Sequence, residues 1–221
     1  MLEARRSQAN PSHVLVLRNV LCVVLGVGVL WSLVHSGYEL TACLHALRVY
    51  SLLVVALEGV CRYASAPAAL PDASKGRTKR QARIVEILSV VGQSICSVLL
   101  THVVAVLFGA YVIENFEATF TLSLLVASLA FIRPLIFLGR SAFISLLERQ
   151  NTESESEVKT FAVLVAAWAG AFPIPLDWDR PWQVWPLTCS IGAILGELGA
   201  SLYLLVTQFS NGGLQWKNKA R

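Results

Sequence analysis

Residues 187–209 read LTCSIGAILGELGASLYLLVTQF, a stretch whose single charged side chain is Glu197. A helix that crosses a lipid bilayer needs about 20 consecutive, mainly apolar residues, which this stretch supplies. Five earlier apolar runs, separated by polar turns, have the same character. The sequence therefore predicts an all-α, polytopic membrane protein with six transmembrane helices in one membrane domain, residues 1–221. The predicted spans are residues 14–34, 40–60, 84–113, 118–138, 158–172 and 187–209.

The composition of the whole chain agrees with this interpretation. Of its 221 residues, 55% are hydrophobic and only 14% are charged. Soluble domains carry roughly 25% charged residues, which they need to cover their surface. This composition excludes a soluble enzyme, a nucleic-acid-binding protein and a disordered chain.

The positive charges indicate the orientation of the predicted spans. If the spans alternate in direction, 14 of the 18 Lys and Arg residues fall on one side, and the opposite side has only Arg180. The basic side contains both termini and the loops 61–83 and 139–157, with Lys159 at the edge of the second loop and Glu155 in its acidic, flexible part. Since Lys and Arg accumulate in cytosolic loops, both termini are expected in the cytosol and the loop 173–186 in the lumen.

An ionisable group within a span is costly unless it is paired or reaches the interface. Four such residues are Arg18, Arg48, Arg133 and Glu197. Arg18 and Arg133 lie near cytosolic span ends, so their side chains are expected to extend to the headgroups. Arg48 and Glu197 lie about 12 and 15 Å from the lumenal ends at 1.5 Å per residue. Their similar depth predicts a buried pair that links the second and sixth spans; an ion or proton path is the alternative.

Histidine and cysteine residues indicate no further chemistry. His45 and His102 lie in spans and are expected to form hydrogen bonds between helices rather than bind metal. A zinc or two-metal site needs three or more ligands at one membrane depth, and the spans offer no such set. We expect no metal site, no cofactor, and no disulfide among the five cysteines.

Small residues recur every four positions in two of the spans. One series is Gly192, Gly196 and Ala200, and the other is Ala162, Ala166 and Gly170. Such series allow helix backbones to approach closely in a membrane. The spacing leaves open whether each series packs on this chain or on another protein.

The most distinctive segment is the loop 173–186, which reads PIPLDWDRPWQVWP. Its four prolines restrict the backbone, and its three tryptophans suit the headgroup layer. A turn in the aromatic belt would account for the tryptophans but not for the acidic and basic residues between them. The candidates for binding a partner or a lipid headgroup are Asp177, Trp178, Asp179, Arg180, Trp182 and Trp185.

Together with Cys189 and Gly192, this loop resembles the hallmark of the phosphatidylinositol-glycan biosynthesis class F family (PIG-F). The close similarity extends from Gly170 to about Gly192. Weaker agreement includes the pairs His102-Val103, Gly109-Ala110 and Thr119-Phe120. Tyr111 departs from the proline of animal members.

The resemblance implies a multi-pass protein of the endoplasmic-reticulum membrane that takes part in the assembly of glycosylphosphatidylinositol (GPI) anchors. Members of the family are non-catalytic subunits that stabilise ethanolamine-phosphate transferases. The large catalytic subunits move phosphoethanolamine from phosphatidylethanolamine to a mannose of the GPI precursor. The implied partners are these subunits and membrane lipids. The alternatives are a membrane enzyme or a lipid transporter that acts directly on GPI-precursor lipids.

The C-terminal segment offers one further motif. Lys217 and Lys219 fit the lysine-x-lysine-x-x pattern of cytosolic retrieval signals, which are read as an address. The same lysines also serve as positive charges that set topology. The sequence does not decide between these two roles.

Overall fold

The computed structural model describes residues 11–65, 76–110, 113–138, 155–176 and 178–219. All regular elements in these ranges are helical. They are α1 Pro11–His35, α2 Leu40–Ser65, α3 Gly76–Leu107, α4 Phe116–Val126, a π-helical segment Ala127–Ile132, α5 Arg133–Leu138, α6 Glu155–Ala169, a 3₁₀ turn Pro181–Gln183, and α7 Leu187–Lys219.

Five helical stretches in the described part of the chain are long and apolar enough to cross a membrane. They are Val14–His35, Leu40–Tyr63, Ile87–Leu107, Phe116–Ile136 and Leu187–Ser210. The remaining predicted span, residues 158–172, corresponds to α6, which has 15 residues. At 1.5 Å per residue α6 is about 22 Å long, shorter than a typical hydrocarbon core of about 30 Å.

The boundary between the third and fourth spans differs from the prediction. The apolar run continues to Ile113, but α3 ends at Leu107. Gly109 has φ +101°, and the Ala110 amide donates a 3.1 Å hydrogen bond to the Ala105 carbonyl. This left-handed closure ends the helix, because glycine adopts positive φ without steric cost. The prediction from hydrophobicity alone therefore placed the end of this span at Ile113, six residues beyond the end of α3.

The fourth span lies at the centre of the bundle and α3 lies at its edge. In the most apolar stretch of the fourth span, 78% of the residues are buried, whereas only 11% are buried in the corresponding stretch of α3. The core around the fourth span contains Leu47 from α2, Leu125 from α4 and Ile194 from α7. Most polar side chains of the fourth span are accordingly buried.

Helices α6 and α7 pack closely, and their small residues account for the contact. A methyl group added to Gly192 would lie 2.3 Å from the Ala166 carbonyl oxygen, and one added to Gly196 would lie 2.5 Å from that of Ala162. One added to Gly170 would lie 2.6 Å from the Thr188 carbonyl. The two series therefore pack on each other within this chain, with α6 antiparallel to α7.

Candidate functional site: a buried charge network and an exposed loop

The first polar region is centred on the Glu197 carboxylate of α7, whose side chain is 1% exposed. Its Oε1 atom accepts a 3.0 Å hydrogen bond from Lys159 Nζ of α6 and a 3.2 Å bond from Arg133 Nη2 of α5. Ser201, one turn further along α7, donates a third bond of 3.2 Å. One carboxylate thus joins three helical segments.

A second buried carboxylate, Glu58 of α2, continues the network. Its Oε1 atom accepts a 2.6 Å hydrogen bond from Arg133 Nε, and the Arg133 Nη2 atom also lies in ion-pair range. Its Oε2 atom lies 3.7 Å from Arg18 Nη1 of α1. Arg18 also bonds Glu155 at the start of α6. We call these six side chains, Arg18, Glu58, Arg133, Glu155, Lys159 and Glu197, the charge network.

The charge network is electrically balanced, with three positive and three negative formal charges. Its members come from α1, α2, α5, α6 and α7. Burying an unpaired charge costs several kcal/mol, whereas a paired and hydrogen-bonded group avoids much of that cost. Glu155 and Lys159 lie in the first two turns of α6, and Lys159 is fully buried.

The predicted pair between Arg48 and Glu197 does not form. Arg48 instead donates to Thr121 at 2.9 Å and to Glu117 at 3.2 Å, both on α4. The prediction used depth alone, but α7 packs mainly on α1, α4 and α6, and α2 packs mainly on α1 and α4. Similar depth therefore did not bring the two side chains together.

Three further expectations about basic residues were wrong. Arg18 and Arg133 do not extend to the headgroups, because their side chains are 6% and 3% exposed and pair with carboxylates. Lys159, expected at the edge of a cytosolic loop, is fully buried. Sequence reasoning missed Glu58, although an acid within the apolar run 40–60 was a usable signal.

The histidines and cysteines contribute no comparable cluster. His102 Nδ1 lies 3.4 Å from the Ser123 hydroxyl, which links α3 to α4 as expected, and His45 is exposed on α2. The five cysteines are free. Among the described residues, no three His, Cys, Asp or Glu side chains converge as metal ligands would.

The second polar region is the loop 173–186, which is held at both its centre and its end. Gln183 Nε2 donates to the Pro173 carbonyl at 2.6 Å and also to the Leu176 carbonyl, so one amide braces the loop across its width. Trp185 Nε1 donates a 3.2 Å bond to Thr119 on α4. The indole of Trp185 therefore attaches the loop to the bundle.

Most of the other described loop candidates are exposed. Trp178, Asp179 and Arg180 are exposed, and Trp182 is half-buried. The Trp178 and Trp182 rings meet edge to face, with centroids 6.1 Å apart. Asp177 lies outside the described residues. The structure thus separates Trp185, which anchors the loop, from side chains available for contact.

Several sequence features lie partly or wholly outside the described part of the chain. Residues 66–75 of the loop 61–83 and residues 139–154 of the loop 139–157 fall there. Helix α7 continues to Lys219, but the side chains of Lys217 and Lys219 are not described. The retrieval motif therefore stays a prediction.

Comparison with known proteins gives a consistent result. The sequence model of the GPI biosynthesis protein family Pig-F matches residues 8–204. A protein of Mus musculus named "GPI ethanolamine phosphate transferase, stabilizing subunit" is 33% identical over 132 residues, covering 57% of this chain and 60% of that protein. The Homo sapiens protein of the same name has the same identity and coverage.

A fungal relative aligns over a longer segment. "Glycosylphosphatidylinositol anchor biosynthesis protein 11" of Eremothecium gossypii is 29% identical over 172 residues, which is 76% of this chain and 69% of that protein. The chain spans about three fifths of the length of the mouse and human relatives. No solved structure matches it.

Proposed function

The chain belongs to the Pig-F family of GPI biosynthesis proteins, and we propose that it is a non-catalytic subunit that stabilises a GPI ethanolamine phosphate transferase. The observation that carries this proposal is the match of residues 8–204 to the family, together with the names of its mouse and human relatives. We place the complex in the membrane of the endoplasmic reticulum, where the large catalytic subunit transfers phosphoethanolamine to the GPI precursor.

The charge network supports a stabilising role. The carboxylates that a membrane enzyme would need in its interior, Glu58 and Glu197, are engaged with Arg18, Arg133 and Lys159. Such pairing suits groups that fix the arrangement of helices. A scaffold held in this way can present a fixed surface to a larger partner.

The proposed topology has six spans and both termini in the cytosol. Helix α6 is the additional span, since its seam with α7 runs from Gly170 beside Thr188 to Ala162 beside Gly196. The turns after α6 lengthen the crossing beyond the 15 helical residues. The excess of Lys and Arg on the side of the termini favours this orientation and a lumenal loop 173–186.

The proposed contact with the catalytic subunit uses the exposed part of the loop. Trp178 and Trp182 have the size and rigidity of interface anchors, and Asp179 and Arg180 can bond polar groups of a partner. Because the Gln183 brace and the Trp185 bond hold the loop in place, little conformational freedom is lost on docking. Membrane lipids cover the apolar faces that the partner leaves free.

Co-purification from mild detergent tests the proposal. The tagged full-length chain should recover a GPI ethanolamine phosphate transferase, and Trp182→Ala should lower that recovery severalfold. Trp31→Ala is the matched control, because Trp31 is an exposed tryptophan of α1 that lies outside the loop. Recovery of no transferase with the unaltered chain would refute the stabilising role. Equal losses with both variants would refute the loop as the contact.

A further inference from the structure

The loop forms a shallow, open depression on the surface of the bundle. Its lining includes Ile174, Leu176, Asp179, Arg180 and Gln183, and its volume is about 450 Å³. This volume exceeds that of a small polar headgroup and falls within the usual range of ligand sites. The depression lies on the same end of the molecule as the turn before α4, because Trp185 bonds Thr119.

The walls of this depression are fixed before any ligand arrives. Gln183 Nε2 bonds the carbonyl groups of Pro173 and Leu176 across the loop. The Arg180 amide in turn donates to Gln183 Oε1 at 3.5 Å. Three prolines, at 173, 175 and 181, further restrict the backbone. A preformed site loses less conformational entropy on binding than a flexible one.

Two adjacent side chains of opposite charge line this fixed depression. Asp179 and Arg180 are both exposed. Asp179 has φ +47°, a left-handed conformation that residues other than glycine adopt uncommonly. The exposed Trp178 ring precedes the pair and meets the Trp182 ring at an interplanar angle of 67°. The depression thus presents an acid and a base, and Trp178 adjoins them along the chain.

We propose that this depression binds a phosphoethanolamine headgroup, with Arg180 on the phosphate, Asp179 on the primary ammonium and Trp178 beside the ammonium. The proposal rests on the proposed function and names a ligand for the same loop. The planar guanidinium matches phosphate oxygens, and a carboxylate accepts hydrogen bonds from an ammonium group. Tryptophan faces attract cations.

The balance of charge favours a zwitterion over a simple anion. A ligand with only a phosphate would be attracted by Arg180 and repelled by Asp179. The apolar residues around the depression include Ile174 and Val184, which are 38% and 47% exposed. They can contact the upper part of acyl chains if the headgroup belongs to a membrane lipid.

Phosphoethanolamine can come from phosphatidylethanolamine or from a GPI precursor that already carries the group. Native mass spectrometry of the full-length chain, purified alone, measures binding of short-chain phosphatidylethanolamine and phosphatidylglycerol. Soluble glycerophosphoethanolamine is then added as a competitor. If the competitor displaces the lipid, the headgroup alone is sufficient for binding, as it must be for phosphoethanolamine carried by a GPI precursor. If the competitor does not displace the lipid, the site binds phosphatidylethanolamine and needs its acyl chains.

The unaltered chain should prefer phosphatidylethanolamine over phosphatidylglycerol by about fivefold, the upper range for an exposed charge pair. Asp179→Asn should remove this preference, and Arg180→Gln should weaken binding of both lipids. Glu114→Gln is the matched control, because it neutralises another exposed carboxylate in the turn before α4. The control should leave the preference intact.

The proposal fails if the unaltered chain shows no preference for phosphatidylethanolamine. It also fails if Asp179→Asn leaves the preference unchanged, or if Arg180→Gln leaves the binding of both lipids unchanged. Thermal unfolding of each variant in the same detergent verifies that the loop variants are folded. Because no transferase is present, failure of lipid binding leaves the stabilising function standing, and failure of co-purification leaves this binding result standing.

Discussion

The charge network and the loop 173–186 use the same kinds of residue in opposite ways. In the network, Glu58 and Glu197 are 1% exposed and face basic groups from other helices. In the loop, Asp179 and Arg180 are neighbours in sequence and both are exposed. Charges that are paired across helices fix the bundle, whereas charges presented on a braced loop are available to another molecule.

This difference predicts different consequences of mutation. Removing one member of the network leaves its partners buried without a counter-charge, so folding should suffer. Removing an exposed loop side chain leaves the bundle intact, so binding should suffer while stability changes little. Stability and partner recovery, measured on the same variants, separate the two regions.

The largest expected effect is that of Glu197→Gln. The change leaves Arg133 and Lys159 with one buried carboxylate fewer, which should cost about 3–5 kcal/mol of unfolding free energy. Thermal unfolding in detergent and protein abundance in cells measure the loss. Glu114→Gln, the exposed control, should unfold like the unaltered chain. A loss below about 1 kcal/mol for Glu197→Gln would mean that the network does not stabilise the bundle.

A double substitution sharpens this test. Lys159→Met together with Glu197→Gln restores the balance of formal charge, so the double variant should lose at least about 1 kcal/mol less than the two single variants combined. Arg48→Gln combined with Glu197→Gln should instead give additive losses, because the two side chains contact different partners. Coupling between Arg48 and Glu197 would contradict the observed arrangement.

The next largest effect concerns the seam between α6 and α7. Gly192→Ala places a methyl group 2.3 Å from the Ala166 carbonyl oxygen, so the helices must separate. Such overpacking typically costs about 1–3 kcal/mol. Gly199→Ala is the matched control on the same helix, since a methyl group there meets nothing within 4 Å. Equal unfolding temperatures for the two variants would show that the seam is not close-packed.

A smaller effect is expected at the ion pair between Arg48 and Glu117. Their side chains are 35% and 79% exposed, and exposed pairs contribute about 0.2–1 kcal/mol. Glu117→Gln should therefore shift the unfolding temperature slightly, and the shift should shrink as salt is added. A loss as large as that of Glu197→Gln would show that exposure does not distinguish the two kinds of pair.

The smallest effect on stability is expected at the C-terminus. Replacing Lys217 and Lys219 with serine should leave unfolding unchanged, and Arg221 remains as a positive charge. If the lysines act as a retrieval signal, part of the variant protein should reach later compartments. Subcellular fractionation or fluorescence imaging can detect this change of location. An unchanged location of the variant would show that Lys217 and Lys219 are not a retrieval signal.

The regions also differ in how well the sequence predicts them. The length of the apolar runs directly indicates a membrane protein. The spacing of the small residues indicates that helices approach closely, although it does not identify the partner helix. The loop is contiguous, so its prolines, tryptophans and charges are visible together. Each of these properties is local along the chain.

The charge network could not be derived in the same way. Arg18 and Glu155 are 137 positions apart, and their contact depends on which helices are neighbours. Depth counted from span ends placed Arg48 beside Glu197, but depth contains no information on helix rotation or adjacency. Lys159 was placed at the edge of a cytosolic loop because the predicted span begins at Val158, whereas α6 already begins at Glu155. Arg18, Arg133 and Glu197 were identified as charges within apolar runs, but only the fold defined their pairs.

The most direct test of the central claim is the rate of phosphoethanolamine transfer per transferase complex, measured with the unaltered chain and with Trp182→Ala. If the chain stabilises the transferase through the loop, the variant should yield fewer complexes, each with nearly the unaltered rate. If the loop performed the chemistry, complex abundance would stay normal and the rate per complex would fall by about 10²-fold or more. An intact but inactive complex would contradict the stabilising role.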